Sequence, residues 1–164
     1  MITEDEKQIK RLLWEYGTAD ERIKDINLQI RLQKETQESM RDIGAVKIDG
    51  MPHTNGLSDP VCGAAIKIVD RVEMNIKDLV SELTKIYEMR EMMRKLLSCL
   101  DDEEYRVISL RYISHIRWSG QPSRMHCSRS TVFRIHDRAI GKLMENFKKN
   151  IKLGLNDTFF MVMW

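Results

Sequence analysis

Residues 101–143 read DDEEYRVISLRYISHIRWSGQPSRMHCSRSTVFRIHDRAIGKL, and they contain two positions suited to cap helices. Asp101 stands three residues before Glu104, an arrangement that caps a helix and predicts one from about residue 102. Ser128 is placed to cap a later, basic helix. The buried stripe of that helix is expected at residues spaced by three and four: Val132, Ile135, Ala139 and Leu143. A short helix, a turn and a capped basic helix together predict a helix-turn-helix domain over residues 101–152.

The first turns of the basic helix carry side chains that suit contacts with DNA bases. Arg129 and Arg134 can each donate a pair of hydrogen bonds to guanine. Ser130 can bond a base edge, and the Phe133 ring can rest on a thymine methyl group. Neighbouring cations and a hydroxyl are candidates for phosphate contacts: Arg124, Thr131, Arg138, Lys142, Lys148 and Lys149. The alternative is a basic surface helix that only faces solvent.

Charge is distributed unevenly along the chain, although the net charge is only +2. Residues 1–100 carry 16 basic and 18 acidic side chains, whereas residues 106–152 carry 11 basic and two acidic ones. A net charge of +9 in one region of an otherwise balanced chain is typical of a nucleic-acid-binding surface. We therefore expect double-stranded DNA as a partner, with its affinity residing in this region.

Two helical arms are predicted ahead of this domain, over about residues 5–40 and 60–100. Gly17 is expected to weaken the first arm by up to about 1 kcal/mol without ending it. Apolar residues alternate at steps of three and four in the first arm: Ile9, Leu12, Tyr16, Ala19, Ile23, Ile26 and Ile30. The second arm keeps this spacing with one charged exception, Arg90: Val69, Val72, Ile76, Leu79, Leu83, Ile86, Met93, Leu97 and Leu100. Such heptad seams are typical of coiled coils.

Glycines and prolines predict a linker over residues 41–59, between the arms. The chain is therefore expected to be all-α, with an arm region over residues 1–100, a helix-turn-helix domain and an apolar tail over residues 153–164. The arms can form an antiparallel hairpin or a coiled coil between subunits of a homo-oligomer. Alternatively, the apolar residues of the two arms form the core of an ordinary helical bundle. The tail is expected to pack on the protein, to be partly disordered or to dock a partner.

Residues 101–146 resemble the region-four helix-turn-helix of sigma factors, and the chain is similar to the ArpU/RinA-like late-gene transcriptional regulators of phages and prophages. The residues that carry this similarity are Leu110-Arg111-Tyr112-Ile113, Trp118, Cys127-Ser128-Arg129-Ser130-Thr131-Val132, Arg134-Ile135-His136 and Arg138-Ala139. That family also has a long helical region and a Met-Pro linker, here Met51-Pro52, ahead of the DNA-binding element. The resemblance implies activation of late genes in a bacterial host, with RNA polymerase as a candidate partner.

One departure from the family pattern falls on the first helix of the motif. Gln121 occupies a position that is apolar in the family and packs under the recognition helix. Pro122 follows it, at about the third helical position if Ser119 caps the helix. We therefore expect this helix to be short, frayed or displaced, which affects base contacts more than phosphate contacts.

Other classes of function find no support in the sequence. Cysteines at 62, 99 and 127 lack the paired spacing of zinc fingers or disulfide frameworks, and no metal or other cofactor is predicted. Motifs of nucleotide-binding and hydrolytic enzymes are absent, so the chain is not predicted to be an enzyme. No apolar run is long enough to span a membrane, and the acidic N-terminus is unlike a signal peptide, which predicts a cytoplasmic protein without a membrane partner.

The sequence thus favours a DNA-binding transcriptional regulator of phage or prophage late genes that reads the major groove with the helix starting near Ser128. One alternative is a DNA-packaging scaffold resembling a small terminase subunit, although such proteins usually place the DNA-binding motif before the oligomerisation region. A structural coiled-coil protein with a degenerate motif is the other alternative, and Gln121 and Pro122 favour it.

Overall fold

The computed structural model describes the backbone of residues 3–45 and 60–152, and the side chains of residues 3–40 and 67–149. Its helices are α1 (Glu4–Ala45), α2 (Pro60–Leu97), α3 (Asp102–Ile108), α4 (Gln121–Met125) and α5 (Arg129–Lys152), and a π-helical turn over Ser109–Ile113 continues α3. These described ranges contain no strand, so the all-α prediction is confirmed.

The predicted linker and tail fall largely outside this part of the chain. Residues 46–59 and 153–164 are not among the described residues. Residues 41–45 were expected in the linker but belong to the last turn of α1. Gly44 does not end the helix, because one glycine costs about 1 kcal/mol and the first proline comes only at position 52.

The described residues form two compact units, and α1 and α2 contribute to both. One unit is Arg22–Lys85. The other contains the residues up to Glu21 together with those from Ile86 onward.

In the Arg22–Lys85 unit, α1 and α2 run antiparallel and bury a narrow seam. Arg22 pairs with Glu82 at 2.6 Å, and Gln37 donates to Glu73 at 2.9 Å, so partner numbers fall along α2 as they rise along α1. Over residues 22–40, the only side chains that are not exposed lie at steps of three and four: Ile23, Ile26, Ile30, Gln33, Gln37 and Met40. Such a narrow stripe is typical of the heptad seam between two helices.

In the other unit, the same two helices bury a wider stripe. Leu13, Met89 and Leu96 lie outside the seam predicted from the heptads and are nevertheless buried. Arg90, the charged exception in that seam, pairs with Asp20 at 2.7 Å and keeps its side chain 32% exposed. A stripe wider than the heptad seam is typical of a globular core with more than two elements.

The C-terminal helices build the core of this unit around α5. Both α3 and α4 pack against α5. Val107 of α3 and Val132 and Ile135 of α5 form a buried cluster, and Trp118, Met125 and Cys127 pack against it: three side chains from the segment between the two helices. The predicted start of α3 near residue 102 is confirmed, because the Asp101 and Glu104 side chains and backbones make the reciprocal bonds of a capping box.

Gly17 of α1 lies against the backbone of the π-helical turn. A Cβ atom at this position would lie 1.9 Å from the carbonyl oxygen of Tyr112, 2.8 Å from its carbonyl carbon and 3.3 Å from the Cα of Ile113. The sequence suggested only a small cost to the helix at Gly17. The structure shows that the missing side chain is what allows the two backbones to approach.

Candidate nucleic-acid interface

The segment α4–turn–α5 begins with a helix of five residues. Gly120 precedes α4 without a side-chain cap, and Pro122 occupies the second helical position rather than the third, because the helix starts one residue later than a Ser119 cap would place it. A proline in the first turn costs no hydrogen bond. The expectation of a short helix at the Gln121 departure therefore agrees with the structure.

The turn between α4 and α5 depends on two residues. His126 ends α4 with φ of 53°, the left-handed conformation that glycine adopts most easily. The Ser128 hydroxyl then accepts a hydrogen bond from the Thr131 backbone N–H at 3.2 Å, and the Ser128 carbonyl accepts one from Val132 at 3.1 Å. Ser128 is thus the N-cap of α5, as its sequence position suggested.

One face of α5 is buried as the spacing indicated. Val132, Ile135, Ala139 and Leu143 are each 6% exposed or less. His136 lies on the same face and is 3% exposed. This packing directs the other face of the helix to solvent.

The candidate base-contacting residues occupy the first two turns of that solvent face. Arg129, Ser130 and Arg134 are exposed. Phe133 is half-buried: its ring centroid lies 4.7 Å from that of Trp118, and the Arg129 guanidinium lies 5.5 Å from it on a cation–π contact. The structure therefore places three of the four side chains in solvent and gives Phe133 a packing role beside them.

The candidate phosphate-contacting residues divide into two groups. Arg138 and Lys142 both bind the fully buried Glu104 carboxylate at 2.7 Å, and Lys148 pairs with Asp5 at 2.7 Å. Arg124 and Lys149 are exposed and have no carboxylate within 4 Å among the described side chains. The Thr131 hydroxyl is hydrogen-bonded to the Ser128 hydroxyl at 2.9 Å, next to the N-cap of α5.

Glu104 joins α3 to α5 through its two cations. Burial alone would raise the pKa of Glu104, but hydrogen bonds from Lys142, from the Asp101 backbone N–H and from Arg138 together lower it below the ordinary value. The carboxylate therefore stays charged near neutral pH and holds α5 against the start of α3. The sequence indicated the capping role of Glu104. It did not predict the contacts with Arg138 and Lys142, which are far away along the chain.

Gln121, the first residue of α4, is fully buried. Its Nε2 donates to the Ile116 carbonyl at 3.3 Å. Its Oε1 is buried and has no hydrogen-bond partner in the described part of the chain. A buried acceptor without a partner costs stability.

A cluster of aromatic side chains that the sequence did not predict connects the π-helical turn to α5. The Tyr112 hydroxyl lies 3.1 Å from His136 Nε2, and Trp118 packs edge-on against the His136 ring at 4.9 Å between centroids. Burial raises the pKa of Tyr112 to about 12. Burial also lowers the pKa of His136, an effect that outweighs the opposing hydrogen bond to Asp137. The one available signal was that His136 lies four residues from Val132, on the apolar stripe.

No helix in the described ranges is both long and apolar enough to cross a bilayer. The described side chains also contain no group of three His, Cys, Asp or Glu residues that could hold a metal ion. In comparisons with known proteins, no family model, no curated protein and no solved structure matches the chain.

Proposed function

We propose that the chain binds double-stranded DNA through α4, the turn and α5, used as a helix-turn-helix whose second helix enters the major groove. The observation that carries this proposal is the solvent face of the first two turns of α5. Arg129, Ser130 and Arg134 are exposed there, and neither arginine has a carboxylate within 4 Å among the described side chains. Unpaired guanidinium groups on the exposed start of a capped helix suit base recognition.

The proposed base contacts are confined to these first turns of α5. Asp137 follows on α5, and its side chain is 76% exposed, so the helix presents a negative charge beyond Arg134. That charge would repel DNA phosphates. Arg129 and Arg134 lie five residues apart, about 140° around the helix axis, so they straddle the groove-facing side and contact different bases.

The exposed cations outside base reach complete the interface. Arg124 and Lys149 are free to neutralise phosphates, which gives affinity without sequence preference. Arg138 and Lys142 already bind Glu104, and we assign them mainly to holding α5 in place. Substitution of Arg138 or Lys142 is therefore expected to weaken DNA binding because it destabilises the packing of α5, and not because it removes a phosphate contact.

The biological role proposed for this activity is regulation of phage or prophage late genes. Its support is the resemblance of residues 101–146 to sigma region four and to the ArpU/RinA-like regulators. The heptad seams of α1 and α2 suit a further role in self-association or in contact with RNA polymerase. Sedimentation mass of the full chain and co-purification with the host polymerase test these two partners.

The test of DNA recognition starts with selection of bound sequences from random duplexes by the full chain. Affinity is then measured on the selected duplex and on a scrambled one at several salt concentrations. Arg129→Ala and Arg134→Ala should each lose about 1–3 kcal/mol on the selected duplex and little on the scrambled one. Arg124→Ala should weaken both duplexes alike and reduce the salt slope by about one.

Arg31→Ala is the matched control, because Arg31 is an exposed arginine of α1 outside the basic region. It should leave both affinities and the salt slope unchanged. If Arg129→Ala and Arg134→Ala weaken the selected and scrambled duplexes equally, α5 does not read sequence. Failure of the selection to enrich any sequence would reject the proposal of sequence-specific binding.

A further inference from the structure

A cleft of about 430 Å³ lies within the unit that contains the C-terminal helices, and none of the candidate base-contacting residues lines it. Small-molecule sites typically have volumes of about 300–1,000 Å³. Two kinds of side chain line the cleft. Four carry aromatic rings: Trp14, Tyr112, Trp118 and His136. Three carry positive charge: Lys10, Arg11 and Arg111.

The two cations from α1 are already paired. Lys10 lies 2.6 Å from Glu6, and Arg11 lies 2.9 Å from Glu15. Each of these i to i+4 pairs is electrically neutral. The net charge of the cleft wall therefore depends on Arg111.

Arg111 is the third cation that lines the cleft. Its guanidinium lies 4.9 Å above the Trp118 ring, and the one hydrogen bond that it donates to a described residue, to the Ile116 carbonyl, is long at 3.4 Å. No carboxylate lies within 4 Å of it among the described side chains. Most of its five donors are therefore available, and a guanidinium matches the two oxygens of a carboxylate. The cleft wall carries one uncompensated positive charge.

Trp14 of α1 supplies an aromatic surface to the same cleft. It is 47% exposed, and the only ring within contact of it among the described residues is that of His115, at 4.6 Å between centroids and tilted by 56°. An indole that remains half exposed beside an uncompensated arginine can stack a planar ring while the arginine binds an acidic group. Neither feature alone indicates a ligand, and both line the same cleft.

We propose that this cleft binds a small aromatic monocarboxylate. Its carboxylate pairs with Arg111, and its ring stacks on Trp14. A single negative charge neutralises the cleft wall, whereas a phosphate dianion would leave an excess negative charge beside Glu6 and Glu15. An apolar ring without an acidic group would leave the guanidinium without a carboxylate partner. This inference does not depend on DNA binding.

Isothermal titration of the full chain with three probes tests the proposal. The probes are 2-naphthoate, its neutral analogue 2-naphthamide, and cyclohexanecarboxylate, which is acidic but not aromatic. We expect 2-naphthoate to bind with a Kd below about 1 mM, as expected for a ligand of this size. The other two probes should bind at least about tenfold more weakly, because each lacks one of the two contacts.

Variants of the full chain locate the site. Arg111→Gln and Trp14→Ala should each weaken 2-naphthoate binding by about tenfold, and Trp14→Phe should retain it because a ring remains. Arg117→Gln is the matched control, since Arg117 is exposed and does not line the cleft. Thermal melts identify any variant that fails to fold, and the half-exposed position of Trp14 makes its variants the safer pair.

Three results would overturn the proposal. Equal binding of 2-naphthoate and 2-naphthamide would mean that Arg111 does not recognise an acid. Unchanged 2-naphthoate binding by folded Trp14→Ala, or absence of binding by the unmodified chain, would mean that the cleft is not an aromatic carboxylate site. Normal DNA binding by Trp14→Ala alongside lost 2-naphthoate binding would show that the two sites are separate.

Discussion

Replacement of Gly17 by alanine is the sharpest test of how α1 packs on the π-helical turn. Two effects of opposite sign compete at this position. Alanine favours a helix over glycine by about 1 kcal/mol. Against this, the new Cβ would lie 1.9 Å from the Tyr112 carbonyl oxygen and 2.8 Å from its carbonyl carbon. These are backbone atoms, so relief requires α1 or the turn to move.

The steric effect should win. Overpacking a closely packed contact costs about 1–3 kcal/mol, and more when no flexible side chain can yield. The shift also strains the Tyr112 hydroxyl contact with His136 in α5, at 3.1 Å. We expect a net loss of about 2 kcal/mol for Gly17→Ala. For a chain of this length that loss lowers Tm by about 4–8 °C.

Gly141→Ala is the matched control in the same chain. Gly141 lies inside α5, and a Cβ atom there would meet nothing within 4 Å. Only the helix preference remains, so this variant should gain about 1 kcal/mol and raise Tm by about 2–4 °C. Thermal unfolding followed by circular dichroism measures both. If Gly17→Ala is stabilised as much as Gly141→Ala, the close approach of α1 to Tyr112 does not exist.

Three further predictions concern single buried positions. Val72 is 7% exposed in the α2 seam, and Val72→Asp should lower the free energy of unfolding by more than about 3 kcal/mol. Val80 is 48% exposed, and Val80→Asp should change the free energy of unfolding by less than about 0.5 kcal/mol. Similar urea midpoints for the two variants would reject the seam. Gln121→Met should stabilise by about 1 kcal/mol in urea unfolding, because the relief of an unpartnered buried oxygen exceeds the loss of one long hydrogen bond; a loss of that size would reveal a partner for Oε1. Burial lowers the pKa of His136 from its ordinary 6.5, so the unfolded chain takes up this proton at a higher pH than the folded chain does. Stability should therefore fall as the pH drops below about 6.5. His136→Gln should remove that part of the pH dependence, and identical pH profiles for both proteins would show that His136 does not titrate differently on folding.

The local features of this fold could be predicted because they depend on residues a few positions apart. Asp101 and Glu104 form a capping box, Ser128 caps α5, and the apolar stripe of α5 is buried at its three and four spacing. The narrow seam of residues 22–40 follows the same heptad period. Helix geometry alone relates these positions, so their spacing in the chain is sufficient to predict the caps and the buried stripes.

The features that shape the candidate sites depend on tertiary contacts that no local pattern records. Glu104 looks like a capping residue in the sequence, and only the fold brings Arg138 and Lys142, 34 and 38 positions away, onto its carboxylate. That contact occupies two cations of the predicted phosphate set, whereas Arg124 and Lys149 have no carboxylate within 4 Å among the described side chains. Gly17 meets Tyr112, 95 positions away, for a steric reason that is invisible until the backbones are in place. Sequence spacing determined the buried face of α5 and of residues 22–40, and tertiary packing decided which charges and backbones meet, because Coulombic and steric contacts depend on distance in space and not along the chain.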